Sequence, residues 1–132
     1  MLFSMKELSV GKLIVKNSFF FGHLYSIGKI EEINIIIKLH KKLYSKANHH
    51  CYAITFEEKS GQIYNSFKND GEVGHPGKIL LELLTKYNLH NNLIVVSRIF
   101  GGIKLGVGGV SRSFREIGDS VIKYYIYNNK SK

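Results

Sequence analysis

Cysteine occurs once in the 132 residues, at Cys51, proline once, at Pro76, and tryptophan not at all. A lone cysteine cannot form an internal disulfide, and a single thiol fits a reducing compartment, so the expected location is cytoplasmic. With one proline and no Ser/Gly-rich or repeated tract, the chain reads as one continuous domain over residues 1–127 with a frayed tail over 128–132. Long apolar runs are missing as well. Ile35-Ile36-Ile37 is bracketed by Asn34 and Lys38, and even the four-residue aliphatic run Leu93-Ile94-Val95-Val96 is far short of the ~20 residues of a membrane span. The first ten residues carry Lys6 and Glu7 and lack the apolar stretch of an export signal. Acidic residues are scarce: 10 Asp and Glu stand against 19 Lys and Arg, for a net charge of +9. The excess admits two readings, a lysine-rich soluble surface and an electrostatic footprint for phosphate backbones. A hydrophobic content of 44% is that of a globular chain. At this length about two-thirds of the unfolded surface is buried on folding.

Apolar patterning predicts eight elements. Leu13 to Val15 and Phe19 to Tyr25 read as strands joined by a tight turn at Lys16-Asn17-Ser18. From Lys29 to Ala47 the apolar positions Ile30, Ile33, Ile37, Leu39, Leu43, Tyr44 and Ala47 step mostly by three and four, which is helical. Glu31 and Glu32 open that helix and Lys38, Lys41, Lys42 and Lys46 close it, which suits its dipole. His49 to Phe56 and Gln62 to Phe67 read as a hairpin, and Asn69 to Glu72 as a turn. Pro76 sits where a helix over Lys78 to Tyr87 would begin. Leu93 to Phe100 is apolar throughout and reads as a central strand covered on both faces. A last helix is expected from about Val110 to Tyr125, or one turn later if Ser113 and Glu116 form a capping box. The order predicts an α+β two-layer sandwich, with helices packed on one face of a mostly antiparallel sheet.

Several constellations could carry chemistry. Gly101, Gly102, Gly106, Gly108 and Gly109 put five glycines in nine residues. They read either as an anion cradle at a helix start, with Lys104, Arg112 and Arg115 nearby, or as a loop packed too tightly for side chains. Gly106 to Ser111 fails the dinucleotide fingerprint at its last position, and Gly77-Lys78 fails the phosphate-loop pattern. No cofactor is therefore expected. His49, His50 and Cys51 invite metal or nucleophile readings, but in a strand His50 points away from the other two, and a buried thiol acts as a small hydrophobe. No metal is expected. Asp70 and Glu72 flank Gly71, either as paired acids or as turn residues with an ion pair to Arg98, since an arginine in an apolar strand must find a partner. Lys41 and Lys42 lie in a lysine stripe that reads as a second phosphate patch or as a solvated face.

Taken together, these segments resemble the IMPACT/YigZ family, in the domain its members share. The resemblance is carried by Lys16 to His23, by His49 to Ala53, by Asp70-Gly71-Glu72 with Gly74-His75-Pro76-Gly77, and above all by Arg98 to Arg112. It implies a ribosomal-protein-S5-domain-2-like fold, which also occurs in ribosomal proteins, in elongation factor G and in small-molecule kinases, so that fold alone does not choose a function. It further implies a translation setting, because the eukaryotic members regulate translation by competing for a ribosome-associated activator of a starvation-responsive kinase. Two departures stand out. Val73 leads directly to Gly74, which shortens the acidic loop. The N-terminal RWD domain of eukaryotic members and the C-terminal ferredoxin-like domain of many bacterial ones have no counterpart in the 132 residues.

The leading expectation is a non-enzymatic, translation-associated domain that binds RNA or the ribosome through Lys104, Arg112 and Arg115 around Gly106, Gly108 and Gly109, with Lys41 and Lys42 as a second patch. Its rivals are a module docking an acidic protein partner, and a small-phosphate binder or enzyme gathering His49, His50, Asp70, Gly71, Glu72, Arg98, Gly101 and Gly102.

Overall fold

The computed structural model describes residues 3–130. In chain order the elements are β1 (Lys6–Val15), β2 (Ser18–Ser26), α1 (Glu32–Leu43), β3 (His49–Glu57), β4 (Ile63–Lys68), α2 (Pro76–Lys86), β5 (Asn92–Ile99) and α3 (Gly106–Lys130). The α+β class and the order of elements are those expected. The strands form one sheet in the order β1-β2-β5-β3-β4, and every neighbouring pair is antiparallel. The most apolar strand, β5, lies at its centre, with Leu93 to Val96 fully buried.

Strand alternation divides the core in two. Phe20 and Leu24 of β2, Cys51 and Ala53 of β3, and Ile94 and Val96 of β5 pack against α2 and α3, whose inward residues include Leu80, Leu84, Phe114 and Ile117. The intervening residues Tyr25, Ile54, Leu93 and Val95 pack against Ile33 and Ile36 of α1. Helices α2 and α3 share one face, as expected. Helix α1 departs from the one-face arrangement and covers the other, making the sheet the middle of three layers. The cause is in the strands: β2, β3 and β5 are apolar on both faces, and each face needs cover.

Three boundaries differ from expectation. Strand β1 begins at Lys6 rather than Leu13, because its face toward α3 offers small residues instead of large apolar ones. Ser9 is buried there, its hydroxyl donating to the Val121 carbonyl at 2.8 Å, and a Cβ on Gly11 would meet the Val121 side chain at 3.0 Å. Helix α1 stops at Leu43, short of Ala47, and its inward face differs too: Leu39 and Leu43 are exposed while Glu32 and His40 are fully buried. Helix α3 begins a full turn before Val110, at Gly106, so Ser113 is no cap; its hydroxyl donates to the Gly109 carbonyl within the helix. The helix also runs on through Lys130, into the stretch expected to fray, and residues 131–132 lie outside the described residues.

Glu32 fastens α1. One carboxylate oxygen accepts the Ser4 and Met5 N–H groups at 2.6 and 3.2 Å, and the other those of Gly28 and Lys29 at 2.7 and 3.2 Å. Burial alone would raise its pKa, but the four donors outweigh it and hold the carboxyl below the usual range.

Candidate functional site

The residues that carry the family resemblance converge at one end of the sheet. Arg98, the charged member of the central strand, is 5% exposed and its Nη1 meets the Glu72 carboxylate at 2.8 Å. Its guanidinium lies 5.3 Å from the Phe20 ring centre and 5.7 Å from that of Phe100. The same Glu72 oxygen stands 3.7 Å from His49 Nε2. Asp70, at φ 51° beside Gly71 at φ 75°, turns its carboxylate onto the His50 N–H at 2.7 Å, and its carbonyl lies 2.8 Å from His49 Nδ1. The Cys51 thiol donates to the Asn69 carbonyl at 3.2 Å, and burial with the nearby Glu72 and Asp70 pushes its pKa up, away from nucleophilic use. The turn-and-ion-pair reading of this loop therefore describes the geometry. The Asp70 and Glu72 carboxylates, which an acid/base reading would need, each hold a partner in β3, β5 or the loop. Among the described residues no group of three or more His, Cys, Asp or Glu could hold a metal ion.

The glycine segment splits between its two readings. Gly101 packs tightly: a Cβ there would overlap the Asn17 carbonyl of the β1–β2 turn. Gly102 and Gly106 have φ of 89° and 73°, and Gly108 and Gly109 lie in the first turn of α3. Gly101→Ala is expected to cost about 3 kcal/mol or more, because backbone must move. Gly102→Ala has open space around it and should cost only the left-handed penalty of about 1–2 kcal/mol. Chemical denaturation of the two variants checks the ordering.

The acidic loop and the start of α3 touch. Ser111 Oγ donates to the Gly74 carbonyl at 2.9 Å, and a Cβ on Gly74 would meet that hydroxyl at 2.5 Å. Lys104, Arg112 and Arg115 are all exposed. The Arg112 guanidinium folds back over Gly108, 3.2 Å from where a Cβ would be. It also lines two clefts. One, of about 250 Å³, adds Lys16, Leu105, Gly109 and Glu116. The other, between α2 and α3 and about 550 Å³, adds Lys86, Arg115, Glu82, Glu116 and Asp119. Neither cleft is lined by His50, Asp70, Glu72 or Gly101. Lys16 was not a candidate in the sequence. It joins the basic group because the tight turn, with Lys16 and Asn17 at φ 44° and 68°, folds it toward α3.

Lys41 and Lys42 are exposed on α1, across the sheet from α3. Beneath α1 lies a polar network that the sequence reading missed. His40, fully buried, reaches Ser97 Oγ through Nδ1 at 2.9 Å and Tyr25 Oη through Nε2 at 2.9 Å. The same Ser97 hydroxyl meets His50 Nδ1 at 2.7 Å, and His23 Nε2 pairs with Tyr44 Oη at 2.6 Å. Burial, helped by His23 and His50, drives the His40 pKa down to about 3. Burial also lowers His23 against the pull of Glu7, and His50 against that of Asp70. The signal available was His40 itself, one turn after Ile36 and in phase with the buried isoleucines. Leu39 and Leu43 masked it by offering a second apolar stripe.

A sheet closed by two helices on one side, a third helix on the other, and an interlocked acidic and glycine-rich end defines a family architecture. The sequence model described as the Impact N-terminal domain matches residues 16–122, and the chain belongs to that family. Over 113 residues it is 34% identical to the IMPACT family member YvyE of Bacillus subtilis, covering 85% of this chain and 51% of that protein. The Protein IMPACT homolog of Dictyostelium discoideum is 36% identical over 94 residues, 69% of this chain and 27% of its own length. The chain thus spans about half of the first of these relatives and about a quarter of the second. Among solved structures, a crystal structure of a hypothetical protein superposes with a TM-score of 0.77 at 24% identity, over 93% of this chain and 61% of that one. The two-domain translational regulator Yih1 superposes with a TM-score of 0.61 at 22% identity, over 90% of this chain and 46% of that one. At such identities these superpositions speak for the shared fold. No helix among the described residues is long and apolar enough to cross a membrane.

Proposed function

We propose that the chain is a translation-associated, cytoplasmic regulatory domain that binds RNA, free or on the ribosome, at the start of α3. The observation that carries the reading is the Arg112 guanidinium folded over Gly108 beside Lys16, at a helix start whose first N–H groups have no intrahelical partner. Lys104 and Arg115 extend the charge on either side. Such contacts position a phosphate backbone without reading sequence. The description of Yih1 as a translational regulator agrees with this setting.

Titration of a labelled RNA at several salt concentrations tests it. Affinity should fall with salt at a log–log slope of about −0.7 per single-strand phosphate neutralised. Arg112→Glu with Arg115→Glu should weaken binding and flatten that slope. Salt-independent affinity, or no binding to RNA or ribosomes at low salt, overturns the reading.

A protein-docking reading is favoured by one observation. Val73, Phe100, Ile103 and Val107, all from 44% to 60% exposed, surround the same glycine segment. Partners recovered from lysate that survive nuclease treatment would support it, and their loss would favour RNA.

A further inference from the structure

Helix α1 covers only part of its side of the sheet. In register, Ile14 lies beside Phe19, Lys12 beside Phe21, and Val10 beside His23. Cover from α1 reaches the last of these rows, where His40 and Tyr44 meet His23. Toward the β1–β2 turn it gives out: Val10 and Ile14 are 52% and 53% exposed, and Phe19 and Phe21 are half-buried.

Three rings form a column on this face. Phe19 and Phe21 stand 6.0 Å apart between ring centres with planes 7° apart, and Phe21 and Tyr44 stand 4.4 Å apart at 13°. Tyr44 ends the column on the α1 side, and Phe19 ends it beside the turn.

Lysines recur along the segments that build this side, with acids only at their ends, at Glu7, Glu31, Glu32 and Glu57. Residues 8–30 hold Lys12, Lys16 and Lys29 and no acid, and residues 33–56 hold Lys38, Lys41, Lys42 and Lys46 and no acid. Those two segments supply nearly all of β1, β2, α1 and β3. The cleft between α2 and α3, by contrast, sets Glu82, Glu116 and Asp119 among its cations. At the margin of the open face stands Glu7, 3.3 Å from His23 Nδ1.

We propose that this face binds single-stranded RNA. An unpaired base continues the ring column at Phe19, the phosphate beside it meets Lys12 in the Phe21 row, and the strand then passes over the turn to Lys16 on the α3 side. Aromatic platforms beside lysines suit unpaired strands, since every unpaired base has a face to stack while a duplex keeps its interior bases stacked on one another. Lys16 belongs also to the Arg112 cleft, so one strand can cross the turn and engage both surfaces. The proposal rests on the RNA reading above and narrows it to unpaired strands.

The chain has no tryptophan, so Phe19→Trp places a sole reporter at the end of the column. Titration with an oligouridylate of about twelve nucleotides, within the site sizes single-strand binders use, should quench it saturably. A duplex of equal length should leave it unchanged. Ile14→Glu, at a position 53% exposed and with its fold checked by circular dichroism, should weaken oligouridylate binding about tenfold or more in the otherwise unchanged chain. The proposal is overturned if the tryptophan stays unquenched while anisotropy reports binding, if Ile14→Glu binds as the parent does, or if duplex and single strand bind equally. It is also overturned if only Arg112→Glu and Arg115→Glu weaken binding, in which case the RNA reading survives. If neither form of RNA binds the parent chain at low salt, the RNA reading itself fails and this proposal with it. Where Phe19→Trp disturbs the circular dichroism spectrum, Ile14→Glu decides alone.

Discussion

Acidification from pH 7 to pH 4 should strip this domain of several kcal/mol of stability, beginning above the range where exposed carboxylates titrate. The reason is the histidine network beneath α1. An unfolded histidine takes up its proton near pH 6.5. Buried His40 does so only near pH 3, and His23 and His50 are likewise held below the ordinary value. Between those limits the unfolded chain binds protons that the native chain refuses, so stability falls as pH falls. At 1.36 kcal/mol per pKa unit, His40 alone contributes up to about 4–5 kcal/mol across the full window. That is a large part of the roughly 5–15 kcal/mol of a typical domain. The contribution is complete above pH 6.5 and is lost on the way down to pH 3. Urea denaturation at half-unit pH intervals checks it, with the midpoint expected to decline steadily from about pH 6.5. A midpoint flat between pH 7 and pH 5 would refute the account. His40→Gln should be less stable at neutral pH but shallower in its pH dependence, because the titrating group with the largest shift is gone.

Removal of the Glu72 carboxylate should be the most damaging change at the family end of the sheet. Arg98 and Glu72 are both nearly excluded from solvent, at 6% and 4% side-chain exposure, and Arg98 Nε already lacks a hydrogen-bond partner. Glu72→Ala leaves a buried guanidinium with Ser18 Oγ at 3.4 Å as its remaining side-chain acceptor. Breaking a buried pair from one side costs about 3–5 kcal/mol, whereas replacing both partners by apolar groups is often neutral. Glu72→Ala is therefore expected to lose about that much in thermal or chemical denaturation. Glu72→Ala combined with Arg98→Met should recover most of the loss. If the single variant stays within about 1 kcal/mol of the parent, the ion pair is not what fastens the loop.

The two results share a cause in the way this sequence reads. Period-two and period-four patterns located the strands and helices because burial writes itself into spacing. The Arg98–Glu72 pair was legible for the same reason, since a charge in an apolar strand demands a partner. Patterning could not show that α1 crosses to the opposite face. Ile33, Ile36 and His40 face the sheet in the same phase whichever side the helix lies on. Nor could it find β1 through Lys6 to Lys12, where Ser9 and Gly11 are small because α3 lies directly upon them. The glycine cluster announced close approach, but the partner of Gly101, the Asn17 backbone, is 84 residues away in the chain and emerges only with the fold.

Cys51 gives the molecule a clock. Its side chain is wholly enclosed in the core that the sheet shares with α2 and α3, and its thiol is held protonated against the Asn69 carbonyl. A thiol reagent can reach it only when the central layers part, so the rate of labelling in native buffer counts those openings directly. Because the chain holds no second cysteine, that signal has one source. Lowered pH or a substitution at Glu72 would each reset its pace.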